Sequence, residues 1–188
     1  MSRSYLVGLA GNTQRPSRTL GLVEALVAEI GLRHPVDSEV HDLVDLGADL
    51  GATLDPRFAP PRLAGILDAI ETADALVVAS PVYKGAYTGL FKHLFDLIDP
   101  KGLAGKPVVI AATGGSERHS LVVDHALRPL FGFFGAAIVP TGVYGTEKEF
   151  LDYRPSHSAL VARIGQAADE TARLLRVHAG PAALARRA

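Results

Sequence analysis

The chain has 188 residues, a length that predicts a single domain with a sizeable hydrophobic core, and it contains no cysteine, which excludes disulfides, thiolate metal sites and thiol catalysis. Its 19 Lys and Arg residues nearly balance its 20 Asp and Glu residues, and no basic stripe predicts binding to nucleic acid or to a membrane surface. The N-terminal apolar run is too short for a signal peptide and no run approaches the ~20 apolar residues of a membrane span, so we expect a soluble, cytoplasmic protein.

Short apolar runs alternate with longer segments of helical period along the chain. The predicted strands lie at 5–10, 40–43, 76–79, 108–112 and 137–143. The predicted helices lie at 17–30, 62–71, 88–98 and 120–134, with a loop over 47–61 before the second of them. We expect Thr88 to be the N-cap of the third helix. A final helix is marked by apolar residues at helical spacing: Leu160, Ile164, Ala168, Leu174 and Leu175.

The predicted strands at 76–79 and 108–112 are apolar throughout rather than alternating, which is typical of a parallel sheet that helices cover on both faces, whereas 40–43 is a weaker strand pattern. The alternation of strands and helices therefore predicts a doubly wound, five-stranded parallel sheet in one α/β domain over residues 1–178. We expect residues 179–188, rich in Ala and Arg, to form a disordered tail. Such sheets bind ligands outside the carboxyl ends of their strands, so the segments after strands one, three and four are the candidate site.

The first of these segments, residues 11–19, opens directly into a helix, where free N–H groups and the positive end of the helix dipole attract an anion. Ser17 and Thr19 add hydroxyl donors, while Arg15 and Arg18 add positive charge, a set that suits a phosphate monoester. The alternative is a Ser17 helix cap with two solvated arginines. The segment has neither a dinucleotide fingerprint nor a P-loop, so a mononucleotide fits it better than NAD bound in the Rossmann manner.

The second segment turns away from the sheet at Pro81, which fixes φ and lacks an N–H. Gly85 and Gly89 permit close approach of the backbone to a flat ligand. Tyr83 and Lys84 offer an aromatic contact and a positive charge. The alternative is that Tyr83 packs on its own loop and Lys84 is solvated.

The third segment, residues 113–119, contains successive glycines whose exposed N–H groups can form an anion-binding nest. His119 is either a hydrogen-bond donor to a ligand or an ordinary surface residue. Because all three segments lie at one edge of the predicted sheet, the sequence favours a binding site there.

Residues 15–19, 80–85 and 112–116 resemble the three flavin loops of the flavodoxin-like NAD(P)H-dependent FMN reductases. The resemblance extends over about 5–155 and includes two long matches, SPVYKGAYTGLFKHLFDL and ATGGSERHSLVVDHALRPLFGFF. It is closest to the alkanesulfonate and methanesulfonate branch, in which a reductase hands reduced FMN to a separate monooxygenase that desulfonates organic sulfonates. The resemblance implies a flavodoxin-like fold, FMN and NAD(P)H as cofactors, and such a monooxygenase as partner.

The resemblance also implies roles for matching residues. Four residues of the first segment would hold or lie near the FMN phosphate: Arg15, Ser17, Arg18 and Thr19. Four residues of the second would line the isoalloxazine ring and ribityl chain: Pro81, Val82, Tyr83 and Lys84. Five residues of the third would contact or adjoin the pyrimidine end of the ring: Thr113, Gly114, Gly115, Ser116 and His119.

Members of this branch are typically tetramers, with the helix after strand four at the interface, so we expect a homotetramer or homodimer. In some relatives that helix has a one-residue π-type bulge with Tyr where this chain has His125. The alternative for His125 is an ordinary helix residue at a subunit contact.

Hydride transfer between a nicotinamide and a flavin depends on positioning and on exclusion of water, so we expect no catalytic acid or base. The sequence also lacks the His spacing of a metal site. The N–H groups around 114–116 are predicted to stabilise charge on the reduced flavin. One alternative, an FMN-dependent quinone, azo or chromate reductase, uses the same loops. A second is a non-enzymatic flavodoxin-type electron carrier, although such carriers are usually acidic and have a Thr-rich phosphate loop, whereas this chain is nearly neutral and its loop carries arginines.

Overall fold

A parallel sheet forms the centre of the computed structural model, which describes residues 3–178. Its strands are β1 (Ser4–Ala10), β2 (Val36–Asp42), β3 (Ala75–Pro81), β4 (Pro107–Gly114), β5 (Ala137–Ile138) and β6 (Val143–Thr146). A separate antiparallel hairpin consists of β7 (Phe150–Leu151) and β8 (Arg154–Pro155). The tail predicted over 179–188 lies outside the described residues.

Six α-helices surround the sheet in the described part of the chain. They are α1 (Arg18–Gly31), α2 (Leu43–Ala52), α3 (Pro61–Thr72), α4 (Gly89–Asp96), α5 (Arg128–Phe133) and α6 (Ser158–His178). None of the helices within residues 3–178 is long and apolar enough to cross a membrane.

The strand order is β2-β1-β3-β4-β5, with all pairs in the sheet parallel. β6 pairs with the carboxyl half of β4, beyond the short β5 that pairs with its first residues, so β5 and β6 together occupy the fifth position of the sheet. This is the order of flavodoxin-like folds. The predicted doubly wound sheet is therefore confirmed.

Two hydrophobic cores lie on opposite faces of the sheet. α1 and α6 cover one face with residues such as Leu22, Leu26 and Ile164. α2 to α5 cover the other face, where Phe95 packs against Phe131 with ring centroids 4.8 Å apart. Burial on both faces explains why the central strands are apolar along most of their length.

The structure corrects the prediction for the second strand and for the loop that follows it. β2 begins at Val36, four residues before the predicted strand, because an edge strand does not need an apolar run. The predicted loop over 47–61 contains most of α2 and a short 3₁₀ turn, Pro56–Phe58. The Asp42 side chain begins α2 by accepting hydrogen bonds from Val44 N and Asp45 N, and Gly47 interrupts the helix with φ +58°.

The fifth strand and the helix after β4 also differ from their predictions. The strand is broken between β5 and β6, where Thr141 N donates to Glu170 of α6 at 2.8 Å instead of to the sheet. The predicted helix over 120–134 contains a π-helical segment, Val123–Leu127, before α5. His125 lies within this segment. The expected cap of α4 is present, since Thr88 Oγ1 accepts from Phe91 N at 3.3 Å.

Candidate functional site

A cleft of about 330 Å³ lies at the carboxyl edge of the sheet. The segments after β1, β3 and β4 line it together with the turn after β6 and the tip of the β7–β8 hairpin. The lining residues are Asn12, Gln14, Pro16, Ser17, Arg18, Thr19, Pro81, Val82, Tyr83, Thr113, Gly114, Gly115, Glu147 and Tyr153. Nine of these were predicted from the sequence as site residues.

Ser17 is the N-cap of α1 and also lines the cleft. Its backbone is extended, and its Oγ accepts from Leu20 N at 3.3 Å. A capping hydroxyl accepts through a lone pair and keeps its own O–H as a donor. The first-turn N–H groups of a helix lack intrahelical acceptors, so the cleft meets the positive end of the α1 dipole here. The cap and the anion site are therefore compatible.

Arg18 reaches the cleft between an acid and an aromatic ring. Its Nη1 lies 3.4 Å from Glu147 Oε1, and its Cζ lies 5.6 Å from the centroid of the Tyr153 ring. The Arg18 side chain is 39% exposed, so a ligand in the cleft can contact it. The cleft thus has one accessible guanidinium beside the helix N-terminus.

Arg15 lies outside the residues that line this cleft. Its Nε and Nη2 donate to the two carboxylate oxygens of Asp42 at 2.7 and 2.8 Å, and Nη2 also donates to Asp45 at 2.7 Å. These hydrogen bonds raise the pKa of Arg15. Burial raises the pKa of Asp45, but hydrogen bonds from Asp42 N–H and Arg15 outweigh burial and leave that pKa below its usual value. Arg15 thereby fastens the first segment to the start of α2.

Asn12 carries a buried acceptor at the cleft wall. It is 4% exposed, and its Nδ2 donates to Asp42 at 2.7 Å and to Gln14 O at 3.1 Å. Its Oδ1 has no hydrogen-bond partner among the described residues. Because buried polar atoms are normally paired, a ligand hydroxyl that reaches Oδ1 would complete the site.

The first and third segments are joined beneath the cleft by two threonines. Thr19 Oγ1 and Thr113 Oγ1 lie 2.6 Å apart, and the residues are only 2% and 7% exposed. The Thr19 hydroxyl, which the sequence assigned to a phosphate, is therefore already paired.

The second segment forms a tight turn in which Tyr83 N donates to Ala86 O at 2.9 Å. Its central residues, Lys84 and Gly85, have φ values of +53° and +86°, as in a type I′ turn. A Cβ on Gly85 would meet no protein atom within 4 Å, but the positive φ of this residue favours glycine in the turn. Tyr83 lines the cleft, whereas Lys84 is exposed at the tip of the turn.

The third segment contributes Thr113, Gly114 and Gly115 to the cleft. It is held in place by Tyr144, whose hydroxyl donates to Ser116 O at 2.6 Å. Ser116 and His119 do not line the cleft. His119 is exposed at the end of a 3₁₀ turn, as its surface alternative predicts.

Five lining residues were missed by sequence reasoning: Asn12, Gln14, Pro16, Glu147 and Tyr153. The sequence could have indicated Asn12 as a cleft residue, since this polar residue lies just after the first apolar run. No sequence pattern indicates that Glu147 and Tyr153 lie in the cleft, because they reach it from beyond β6. The hairpin that carries Tyr153 packs closely on α1: a Cβ on Gly21 would overlap Tyr153 O.

The site offers binding groups rather than a metal centre. Within residues 3–178 there is no group of three or more His, Cys, Asp or Glu that could hold a metal ion. The cleft combines a helix N-terminus, an arginine, an unpaired amide oxygen, an aromatic ring and two adjacent glycines. This arrangement can hold a ligand that has a phosphate, hydroxyl groups and a flat ring.

The chain matches the family model of the NADPH-dependent FMN reductases over residues 5–150. It is 56% identical over 169 residues to an FMN reductase (NADPH) of Pseudomonas aeruginosa, an alignment that spans 90% of this chain and 91% of that protein. It is 52% identical over 182 residues to the NADH-dependent FMN reductase SfnF of Pseudomonas fluorescens, spanning 96% and 97%. The solved structure of an oxidoreductase from Corynebacterium diphtheriae matches with a TM-score of 0.81 and 37% identity, over 93% of this chain and 98% of that one.

Proposed function

Because the chain belongs to the family of NADPH-dependent FMN reductases, we propose that its cleft binds FMN and that the enzyme reduces this flavin with NADH or NADPH. One observation carries the site assignment: the segments after β1, β3 and β4 line a single cleft together with the N-terminus of α1.

The phosphate of FMN binds at the start of α1. Ser17 donates its hydroxyl hydrogen, the first-turn N–H groups of Arg18 and Thr19 donate from the backbone, and the Arg18 guanidinium supplies charge. Arg15 acts indirectly in this assignment, because its pairing with Asp42 and Asp45 holds the segment in place. Binding of a phosphate dianion is favoured by both the dipole and the arginine.

The rest of the flavin would be held by residues at the edge of the sheet, from the segment after β1 to the segment after β4. Asn12 Oδ1, which is buried and has no partner within residues 3–178, would accept a hydrogen bond from a ribityl hydroxyl. Pro81, Val82 and Tyr83 line the ring and ribityl chain, and Gly114 lies at the pyrimidine end. Three further assignments lie outside the lining residues and stay predictions: Lys84, Ser116 and His119.

FMN supplies the hydride-accepting chemistry when it is bound. The residues of the cleft bind it, orient its ring and exclude water from one side. The N–H groups of Gly114 and Gly115 donate towards the polar edge of the ring, where they favour negative charge. No side chain is assigned as a general acid or base.

We further propose that the reduced flavin is delivered to a separate flavin-dependent monooxygenase of the sulfonate type. The resemblance of residues 15–19, 80–85 and 112–116 to the sulfonate branch supports this assignment. An enzyme in this role releases its flavin as a product, so its affinity for FMN need be only moderate.

We also propose a cytoplasmic homotetramer or homodimer that assembles through the segment after β4. Two large apolar side chains on this segment support an interface there, because Leu121 is 61% and Phe133 is 73% exposed. The absence of cysteine agrees with a reducing compartment.

An anaerobic titration tests the proposed activity. Purified protein is mixed with a tenfold excess of FMN and with NADH or NADPH, and the flavin absorbance band is followed. We expect the band to bleach through many turnovers, with free reduced FMN recovered after filtration. A flavin that stays oxidised with both nucleotides would contradict the assignment.

The same experiment separates the alternatives. Flavin that remains bound and passes electrons to a quinone or azo dye in ping-pong kinetics would favour the acceptor reductase. Bleaching that requires a second reductase would favour the electron carrier, which the family assignment already disfavours.

A further inference from the structure

Glu147 places a negative charge in the cleft that holds the proposed phosphate site. It directly follows β6, lines the cleft together with Ser17, Arg18 and Thr19, and its Oε1 lies 3.4 Å from Arg18 Nη1. Its side chain is 62% exposed. Nothing in the proposed binding of FMN uses this carboxylate.

The turn that carries Glu147 is fixed by its other residues. Glu149 Oε2 accepts from Thr146 N at 2.8 Å and from Thr146 Oγ1 at 2.7 Å, which caps the 3₁₀ turn Glu147–Glu149. Lys148 Nζ pairs with Glu117 at 2.8 Å. Because the neighbouring charges are engaged elsewhere, the Glu147 carboxylate is held at the mouth of the cleft with Arg18 as its described partner.

The contact between Glu147 and Arg18 does not have the geometry of a positioning pair. An acid that orients an arginine makes short, forked hydrogen bonds, as Asp42 does with Arg15 at 2.7 and 2.8 Å. The Arg18 contact is single, long and exposed, and such pairs contribute little to stability. The main electrostatic effect of Glu147 is therefore to add negative charge at the place where an anion is proposed to bind.

From this geometry we infer that Glu147 competes with the FMN phosphate for Arg18 and so weakens flavin binding, which favours release of the flavin. The inference rests on the proposed function. A phosphate monoester carries nearly two negative charges at neutral pH, and like charges in one cleft repel. Binding of FMN therefore requires Arg18 to exchange a carboxylate for a phosphate, and release is assisted by the reverse exchange.

The test compares FMN with riboflavin, which lacks the phosphate, in binding to wild type and Glu147→Gln. The substitution keeps the size of the side chain and removes its charge. We expect the Kd for FMN to fall about threefold to tenfold and the FMN dissociation rate to fall with it, while the Kd for riboflavin stays unchanged. The effect should shrink as salt rises from 20 to 500 mM, because exposed charges are screened.

Two further variants sharpen the comparison. Glu147→Lys should tighten FMN binding more than Glu147→Gln, since the charge at this position then changes by two. Glu24→Gln removes an exposed charge on α1 that does not line the cleft, and it should change the Kd for FMN by less than half as much as Glu147→Gln.

The inference is overturned if FMN binds wild type but Glu147→Gln binds it equally or more weakly, or if riboflavin tightens to the same extent. A weaker FMN complex in Glu147→Gln would make Glu147 a residue that positions Arg18. Failure of wild type itself to bind FMN would instead count against the proposed function.

Discussion

The hydroxyl oxygens of Thr19 and Thr113 lie 2.6 Å apart and are buried, so one hydrogen bond joins the first helix to the fourth strand beneath the candidate flavin cleft. The two residues are 94 positions apart in the chain. A contact of this kind both stabilises the fold and fixes the distance between two loops of the site.

Removing both of these hydroxyls should cost less than the sum of the two single removals. Thr113→Val leaves the buried Thr19 hydroxyl unpaired and should lower the free energy of unfolding by about 1–3 kcal/mol. The double variant Thr19→Val/Thr113→Val has no unpaired hydroxyl, so it should be more stable than the sum of the two single changes predicts. Urea denaturation of the four proteins measures this coupling. Strict additivity would show that the bond does not contribute.

Arg18→Ala should weaken FMN binding by about 1.5–3 kcal/mol, the value of a hydrogen bond to a charged group. Titration of the flavin absorbance measures the Kd, and riboflavin is the control ligand because it cannot use a phosphate contact. The affinity of the protein for riboflavin should change little. An unchanged Kd for FMN would remove Arg18 from the phosphate site.

Lys106 should make stability depend on pH in the alkaline range. Its Nζ donates to Ile70 O and Glu71 O at 2.7 and 2.8 Å, and burial lowers its pKa from 10.5 to about 8, against the raising effect of the Asp74 and Glu71 charges. Between these two values the unfolded chain binds more protons than the folded one, so the contribution of Lys106 to stability increases as pH rises from 8 to 10.5.

The matched variant is Lys106→Met, which keeps the aliphatic length without a titrating group. We expect the free energy of unfolding of wild type, relative to this variant, to increase between pH 8 and pH 10. Urea denaturation at pH 7.5, 8.5 and 9.5 measures the difference. Parallel pH profiles for the two proteins would contradict the prediction.

Two helical glycines should respond in opposite ways to alanine. Gly65→Ala in α3 adds a Cβ that meets nothing within 4 Å, so it should stabilise the protein by about 0.5–1 kcal/mol. Gly21→Ala in α1 places a Cβ against Tyr153 O and should destabilise it by about 1–3 kcal/mol. The second variant should also weaken FMN binding, because the hairpin places Tyr153 in the cleft. Thermal denaturation measures the change in stability, and flavin titration measures the change in FMN affinity. If the two variants changed stability in the same direction and by the same amount, the packing argument would be contradicted.

The three binding segments were predictable because apolar runs locate the central strands, and parallel strands bring their carboxyl ends to one edge. Residues in the segments that follow those runs, such as Ser17, Tyr83 and Gly114, were therefore found at the cleft. Thr88 was recognised as a helix cap because capping depends on local sequence.

The features of the site that were not predicted depend on contacts between residues far apart in the sequence. Arg15 was assigned near the phosphate from its charge, but its carboxylate partner Asp42 lies 27 positions further along the chain. Glu147 enters the cleft from the turn after β6, and Tyr153 enters it from a hairpin that packs on α1. The short strand predicted for β2 reflects its place at the edge, where polar residues are tolerated.

Both edges of the sheet discourage the addition of another strand. At one edge β2 carries the charged residues Asp37 and Glu39, and at the other the chain between β5 and β6 breaks the ladder at Pro140, which has no N–H to donate. Edge-to-edge association, the usual beginning of β-aggregation, is therefore disfavoured at each end.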